Sequence, residues 1–248
     1  MSFKISCSPH LAREGRSGLS NNLQFAPHPR SSFEKLANGC TADLSPSSSP
    51  NDGSPIHALE VIEYLAPGYL WDFWLAQHPI YGKVVLKLVL TSNYSCCRPE
   101  YDDYIPQNEI FEEALKQEEF YLGPLADLQG DIVPKYHGLY TSVEGGWYIA
   151  IMLEWAGYAL GPRVIYLKEE WLQKVYEAYE TLHLHGVMHS DLCTRHILVD
   201  DNHKIRLVSF RQSARKYLTD EDDVSVLMCE AVKLRVRIGM ERIKDVDR

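Results

Sequence analysis

Gly186-Val187-Met188-His189-Ser190-Asp191-Leu192-Cys193-Thr194-Arg195-His196-Ile197-Leu198-Val199 joins two segments of different periodicity. Before it, Trp171, Leu172, Val175, Tyr176, Tyr179 and Leu182 recur at the spacing of an amphipathic helix, predicted over Glu169 to His185 with Gly186 as its stop. After it, Ile197-Leu198-Val199 and Ile205-Arg206-Leu207-Val208 flank Asp200-Asp201-Asn202-His203, the pattern of a β-hairpin. His189, Asp191 and His196 lie on the connection.

Upstream, Trp147 to Glu154 reads as a buried strand, and Val84-Val85-Leu86-Lys87-Leu88-Val89-Leu90 as a strand with one charge at its centre. A polar loop follows from Thr91 to Tyr104, then a helix from about Gln107 to Leu122, stopped by Gly123-Pro124. An unpaired buried ammonium is costly, so Lys87 either points to water from an edge strand or faces an anionic ligand in a cleft. Glu118 has Phe111, Ala114, Leu115, Tyr121 and Leu122 as its helical neighbours, whereas Glu119 lies on a mixed face. Glu118 therefore either turns inward toward a cation, with Lys87 the candidate, or snorkels at a boundary. The order of elements, strands and one helix first and then mainly helix with a short hairpin, gives an α+β fold with two lobes.

These motifs together resemble the protein-kinase-like superfamily. Its catalytic loop reads H-R-D-L-x-x-x-N; this chain has His189, Ser190, Asp191 and Leu192, with His196 at the Asn position. Eighteen residues after Asp191 comes Ser209-Phe210-Arg211, where the family has Asp-Phe-Gly. Val84-Val85-Leu86-Lys87 resembles the V-A-I-K strand, Glu118 falls at the helix-C glutamate, and Ile151-Met152-Leu153-Glu154-Trp155 resembles the hinge that meets adenine. The run from Glu118 to Pro134 is similar to the short, divergent kinase-like proteins of fungi. The resemblance covers roughly residues 57 to 211. It implies a bilobal protein-kinase-like fold, with a small β-rich N-lobe over about 56–153 and a truncated, mainly helical C-lobe over about 154–248. It also implies an ATP-binding domain in which Lys87, Glu118, Gly68, Glu154 and Trp155 hold the nucleotide and Asp191 and Lys87 serve catalysis.

The departures from the family pattern are chemical. A glycine-rich loop needs glycines for close approach to phosphates, and in Ala66-Pro67-Gly68-Tyr69-Leu70-Trp71-Asp72-Phe73 only Gly68 remains. Ser190 replaces the arginine on which a phosphorylated activation loop docks. His196 and Ser209 stand at the two metal-ligand positions, and magnesium prefers carboxylate and carbonyl oxygens. Magnesium or manganese binding is thus expected to be weak or absent. Three functions follow: an ATP-binding pseudokinase, an active phosphotransferase with Asp191 as base, or a non-catalytic interaction module. Only 37 residues follow Arg211, and 220–248 reads as one helix running from Asp220, Glu221, Asp222 and Asp223 to Lys233, Arg235 and Arg237. This helix is expected to pack beneath the catalytic loop, its basic end a solvated face or a partner surface.

Composition limits the alternatives. Of 248 residues 45% are hydrophobic and 24% charged, which is globular, and the net charge of −9 disfavours a nucleic-acid binder. No apolar stretch approaches the ~20 residues of a membrane span, and no secretory signal is visible at the N-terminus. The six cysteines lack a disulfide or zinc spacing, so they are expected as free thiols in an intracellular, cytoplasmic or nuclear, setting. Residues 1–55, with twelve serines and six prolines, are expected as a disordered tail, with Ser45-Pro46 and Ser49-Pro50 as possible docking or phosphorylation points. The partners expected are ATP and a protein substrate or partner.

Overall fold

Alternation along β5 (Gly82–Leu90) sends Val84, Leu86 and Leu88 into one core and turns Lys87 to the opposite face. The computed structural model describes residues 1–15, 19–28, 56–68, 70–91, 107–144, 148–161 and 168–240. β5 lies between β4 (Asp72–His78) and β7 (Tyr148–Glu154), antiparallel to both. Outside these run β3 (Ile56–Pro67) and β6 (Tyr136–Ser142). Two N-terminal strands then complete the sheet: β1 (Ser2–Ser6) runs parallel to β3, and β2 (Gln24–Pro27) antiparallel to β6. The order β1-β2-β6-β7-β5-β4-β3 closes into a seven-stranded barrel.

The barrel core explains the closure. Phe3 and Ile5 on β1 and Phe25 on β2 are buried with Leu59, Trp74, Leu86, Leu88, Tyr140 and Met152. The Phe3 and Phe25 rings stack at 4.9 Å, and the Tyr140 ring meets Phe3 edge-on at 4.8 Å. Pairing removes both sheet edges, which would otherwise leave rows of unsatisfied N–H and C=O groups.

Two sequence expectations are corrected here. The fold is mixed α/β with a closed barrel and, among the described residues, three α-helices; it is not the bilobal kinase-like fold with a helical C-lobe. Nor is the N-terminal stretch a tail throughout, because Ser2–Ser6 and Gln24–Pro27 are barrel strands. A Ser/Pro-rich average over 1–55 hid two short apolar alternations, Phe3/Ile5 and Phe25, whose burial pays for their ordering. Residues 29–55, with both Ser-Pro pairs, lie outside the described residues.

The chain divides into two compact units and crosses between them at Trp155–Ala156, beside the expected boundary near residue 154, and also at Glu119–Phe120 and Lys135–Tyr136. The first holds the chain up to Glu119 and Tyr136–Trp155; the second holds Phe120–Lys135 and the chain from Ala156 onward. Helix α1 (Gln107–Leu122), at the predicted place, contributes to both.

In the second unit β8 (Tyr158–Ala159), β10 (Ile197–Val199) and β11 (Ile205–Leu207) form a small sheet around the predicted hairpin. Helix α2 (Glu169–Leu184) buries Leu172, Val175, Ala178, Tyr179 and Leu182, the predicted stripe. The chain leaves α2 through Gly186 at φ +66, where a Cβ would collide with the carbonyl of Lys216. It continues as β9 (Val187–Met188), which pairs with β12 (Ala214–Arg215). Helix α3 (Glu221–Ile238) is capped by Asp220, whose carboxylate accepts the N–H groups of Asp222 and Asp223, and ends at Gly239 with φ +84. Among the described residues no helix is long and apolar enough to cross a membrane.

Candidate functional site

Gly68, Lys87, Glu118, Glu154 and Trp155 belong to the first unit; Asp191, His196 and Ser209 belong to the second.

Lys87 is 8% exposed on a strand paired along both sides, which removes the edge-strand reading. Its Nζ donates to Oε1 of Gln117 on α1, 5.3 Å from the Trp71 ring and 5.9 Å from that of Phe73. Aromatic faces stabilise a desolvated ammonium by cation–π attraction. The indole N–H of Trp71 is buried with no acceptor among the described residues. Glu118 is 5% exposed, as its helical face predicts, and accepts the Tyr136 hydroxyl at 3.0 Å. Gln117, which sequence reasoning missed, is equally buried. The signal for it was the stripe Ile110–Ala114–Gln117–Tyr121, which is the inward line of α1.

Gly68 closes a tight turn: its N–H donates to the Trp71 carbonyl at 2.6 Å, and a Cβ there would lie 2.5 Å from the Phe73 ring. Glu154 pairs with Val84 at the end of β7, and the Trp155 N–H donates to the Lys83 carbonyl at 3.1 Å.

The loop of the second unit is held from below by Glu230 of α3. That carboxylate accepts the N–H of His189 at 3.0 Å, the N–H of Ser190 at 2.6 Å and His183 Nε2 at 2.8 Å. Burial pushes the Glu230 carboxyl up, but the His183 hydrogen bond and the two amides outweigh it and hold it below the ordinary carboxylate value. Ser190 is thereby kept at φ +66, a left-handed conformation that a β-carbon disfavours. Sequence reasoning placed α3 beneath this loop but did not single out Glu230, which lies between Leu227 and Leu234 on the buried stripe.

His189 is buried, accepts the Asp191 N–H at Nδ1 and donates from Nε2 to the Val208 carbonyl at 2.9 Å. Burial lowers its pKa, keeping the ring neutral. Phe210 lies 5.1 Å from this ring and packs on Phe120 and Tyr121. Ser209 itself is left-handed, at φ +75.

Asp191 is half-buried, and the structure brings His196 to it. The Nδ1 of His196 lies 3.5 Å from Oδ2 of Asp191 and 3.4 Å from its carbonyl oxygen, while Nε2 accepts the Arg195 Nε–H at 3.3 Å. Acceptance at Nε2 places the ring proton on Nδ1, so neither nitrogen presents an open lone pair. This donor set does not fit magnesium: one candidate ligand is a committed imidazole and the other a hydroxyl.

In comparison with family models and with curated proteins, the chain matches none.

Proposed function

We propose that this protein binds a nucleoside triphosphate of the ATP class and transfers its phosphoryl group weakly or not at all. The observation that carries this reading is the commitment of both His196 nitrogens within the chain. Phosphoryl transfer relies on metal ions to bridge phosphates and neutralise developing charge. Without them, Asp191 as base has no activated phosphate to serve. The nucleotide part draws support from the first unit, where the Lys87 ammonium and the buried, unaccepted indole N–H of Trp71 are neighbouring donors. An acceptor-rich phosphate suits the indole N–H, and its negative charge suits the ammonium that already donates to Gln117.

A second reading, a non-catalytic interaction module, is favoured by a different observation. The N–H groups of Gly68 and Trp155, two of the residues that the resemblance gives to the nucleotide, already donate to the carbonyls of Trp71 and Lys83.

Titration of the full chain with ATP, with and without magnesium or manganese, tests the proposal through the melting temperature, because a ligand of the native state must raise it. The expected result is a rise with ATP alone that metal scarcely increases and that Lys87→Met removes. No rise with ATP under any condition would overturn nucleotide binding and leave the interaction module. Magnesium-dependent phosphorylation of a generic peptide, abolished by Asp191→Asn, would instead establish an active phosphotransferase.

A further inference from the structure

Pro79, Ile80 and Tyr81 join β4 to β5, and an imidazole holds this turn. The Nδ1 atom of His78 accepts the N–H of Ile80 at 3.2 Å and that of Tyr81 at 3.3 Å. Pro79 has no N–H, so these are all the amide donors of the connection. Acceptance at Nδ1 puts the ring proton on Nε2. His78 continues the inward line Trp74–Ala76 of β4 and is buried with them.

Further protonatable rings surround it. His57, on the inward line of Leu59 and Val61 in β3, lies 5.5 Å away between ring centroids. The Tyr81 ring stacks with His78 at 4.6 Å and with His137 at 4.1 Å. His137 stands at the register shift of β6 between Tyr136 and Gly138, where a bulge re-aims a side chain. On β1, Phe3 lies beside His57 and brings no charge. Glu60 of β3 and Lys83 of β5 are both opposite the exposed Gln77 and face outward with it. On β6 the Tyr140 hydroxyl donates to the His137 carbonyl at 2.8 Å, and on β7 Glu154 sits opposite Val84. Burial lowers the His78 pKa from its ordinary value, and charge on His57 and on His137 lowers it further.

A second proton enters His78 only at Nδ1, where it points at the two amide hydrogens that this nitrogen accepts. Protonation therefore removes both hydrogen bonds at once and sets N–H against N–H. We infer that the β4–β5 turn is a proton-operated latch on the barrel, closed by neutral His78 and released when the ring becomes imidazolium beside His57 and His137. The stabilisation from closure is complete above the unfolded value of about 6.5 and is lost as pH falls through the lower folded value. The inference is independent of nucleotide binding, since none of these four rings belongs to the candidate site.

Magnetic resonance of the isotope-labelled full chain, followed across the range in which histidines titrate, tests it. The His78 ring is expected to carry its proton on Nε2 at the upper end and to titrate with a midpoint below about 6.5. The Ile80 and Tyr81 amide signals should move with that same midpoint. One pH unit below it about a tenth of the ring is neutral, so the exchange protection of both amides should have fallen about tenfold relative to Ile151 in β7. His78→Asn supplies an oxygen that accepts an amide two residues on without titrating, and should abolish the response. His57→Gln, which removes a neighbouring charge, should raise the His78 midpoint, a result that does not depend on the asparagine variant folding. A His78 that becomes imidazolium while both amides keep their shifts and protection overturns the inference. So does an unchanged amide response in folded His78→Asn. So does a ring that stays neutral until the β5 and β7 amides are lost with it, because the transition is then global unfolding and not release of a turn.

Discussion

Glu230 and His189, 41 residues apart, are joined by a 3.0 Å hydrogen bond from the backbone N–H of the loop residue to the carboxylate of the helix. The adjacent Ser190 N–H reaches the other carboxylate oxygen. Two successive amides on one buried carboxylate fix the loop backbone, including its left-handed Ser190, and so fix where Asp191 stands. The loop's geometry is therefore set by a helix that follows it in the chain.

Glu230→Gln retains the shape but replaces one acceptor oxygen with an NH2 group facing donors. It is expected to destabilise the protein by about 1–3 kcal/mol, the cost of buried donors left unmatched, read as a lower midpoint in urea. Because the folded carboxyl is held below its unfolded value, its stabilisation is complete above the unfolded pKa of about 4.3 and is lost as pH falls through the folded value. Unfolding midpoints measured on descending pH should therefore converge for parent and Glu230→Gln in acid.

Phe25 stacks on Phe3 in the closing strand pair, and both are fully or almost fully buried. Phe25→Ala is expected to cost about 3–5 kcal/mol. A chain beginning at Ile56 lacks β1 and β2, exposes the edges of β3 and β6, and should lose its cooperative melt. Cooperative melting of that shortened chain near the parent temperature would show the barrel to be stable without closure.

Gln117→Leu removes the carboxamide acceptor from Lys87 at a buried site. It is expected to destabilise by about 1–3 kcal/mol. Combining it with Lys87→Met, so that both partners become apolar, should recover part of that loss. A double-mutant cycle by denaturant titration gives the coupling, expected at about 0.5–3 kcal/mol; strict additivity would mean that this contact contributes nothing.

On the proposed function, Ser209→Asp with His196→Asn puts oxygen ligands at the two positions that the kinase resemblance gives to metal. Aspartate enters left-handed backbone more readily than most residues, so the φ of +75 at this position is compatible with the change. The asparagine releases the imidazole contact on Asp191. The double variant is expected to show magnesium-dependent strengthening of ATP binding by calorimetry. If metal leaves its ATP affinity unchanged, the ligand positions are not what limits the unmodified protein.

The elements were legible in the sequence where periodicity and punctuation agree. The helix before Gly186, the hairpin around Asp200–His203, the strand carrying Lys87 and the inward turn of Glu118 all follow from local spacing. Local pattern also set the acidic-to-basic order of α3, since it depends on no partner. Tertiary structure alone decided how strands close. Phe3, Ile5 and Phe25 are too few to mark strands within a Ser/Pro-rich stretch, and become strands because β3 and β6 offer edges and the barrel offers a core. It also decided the partners. Gln117 accepts from Lys87 because the helix stripe is centred one position before Glu118, and His196 meets Asp191 because a short turn folds the loop back on itself. Spacing along a chain fixes which way a side chain faces on its own element; which group it then touches depends on the packing of elements far apart in the sequence.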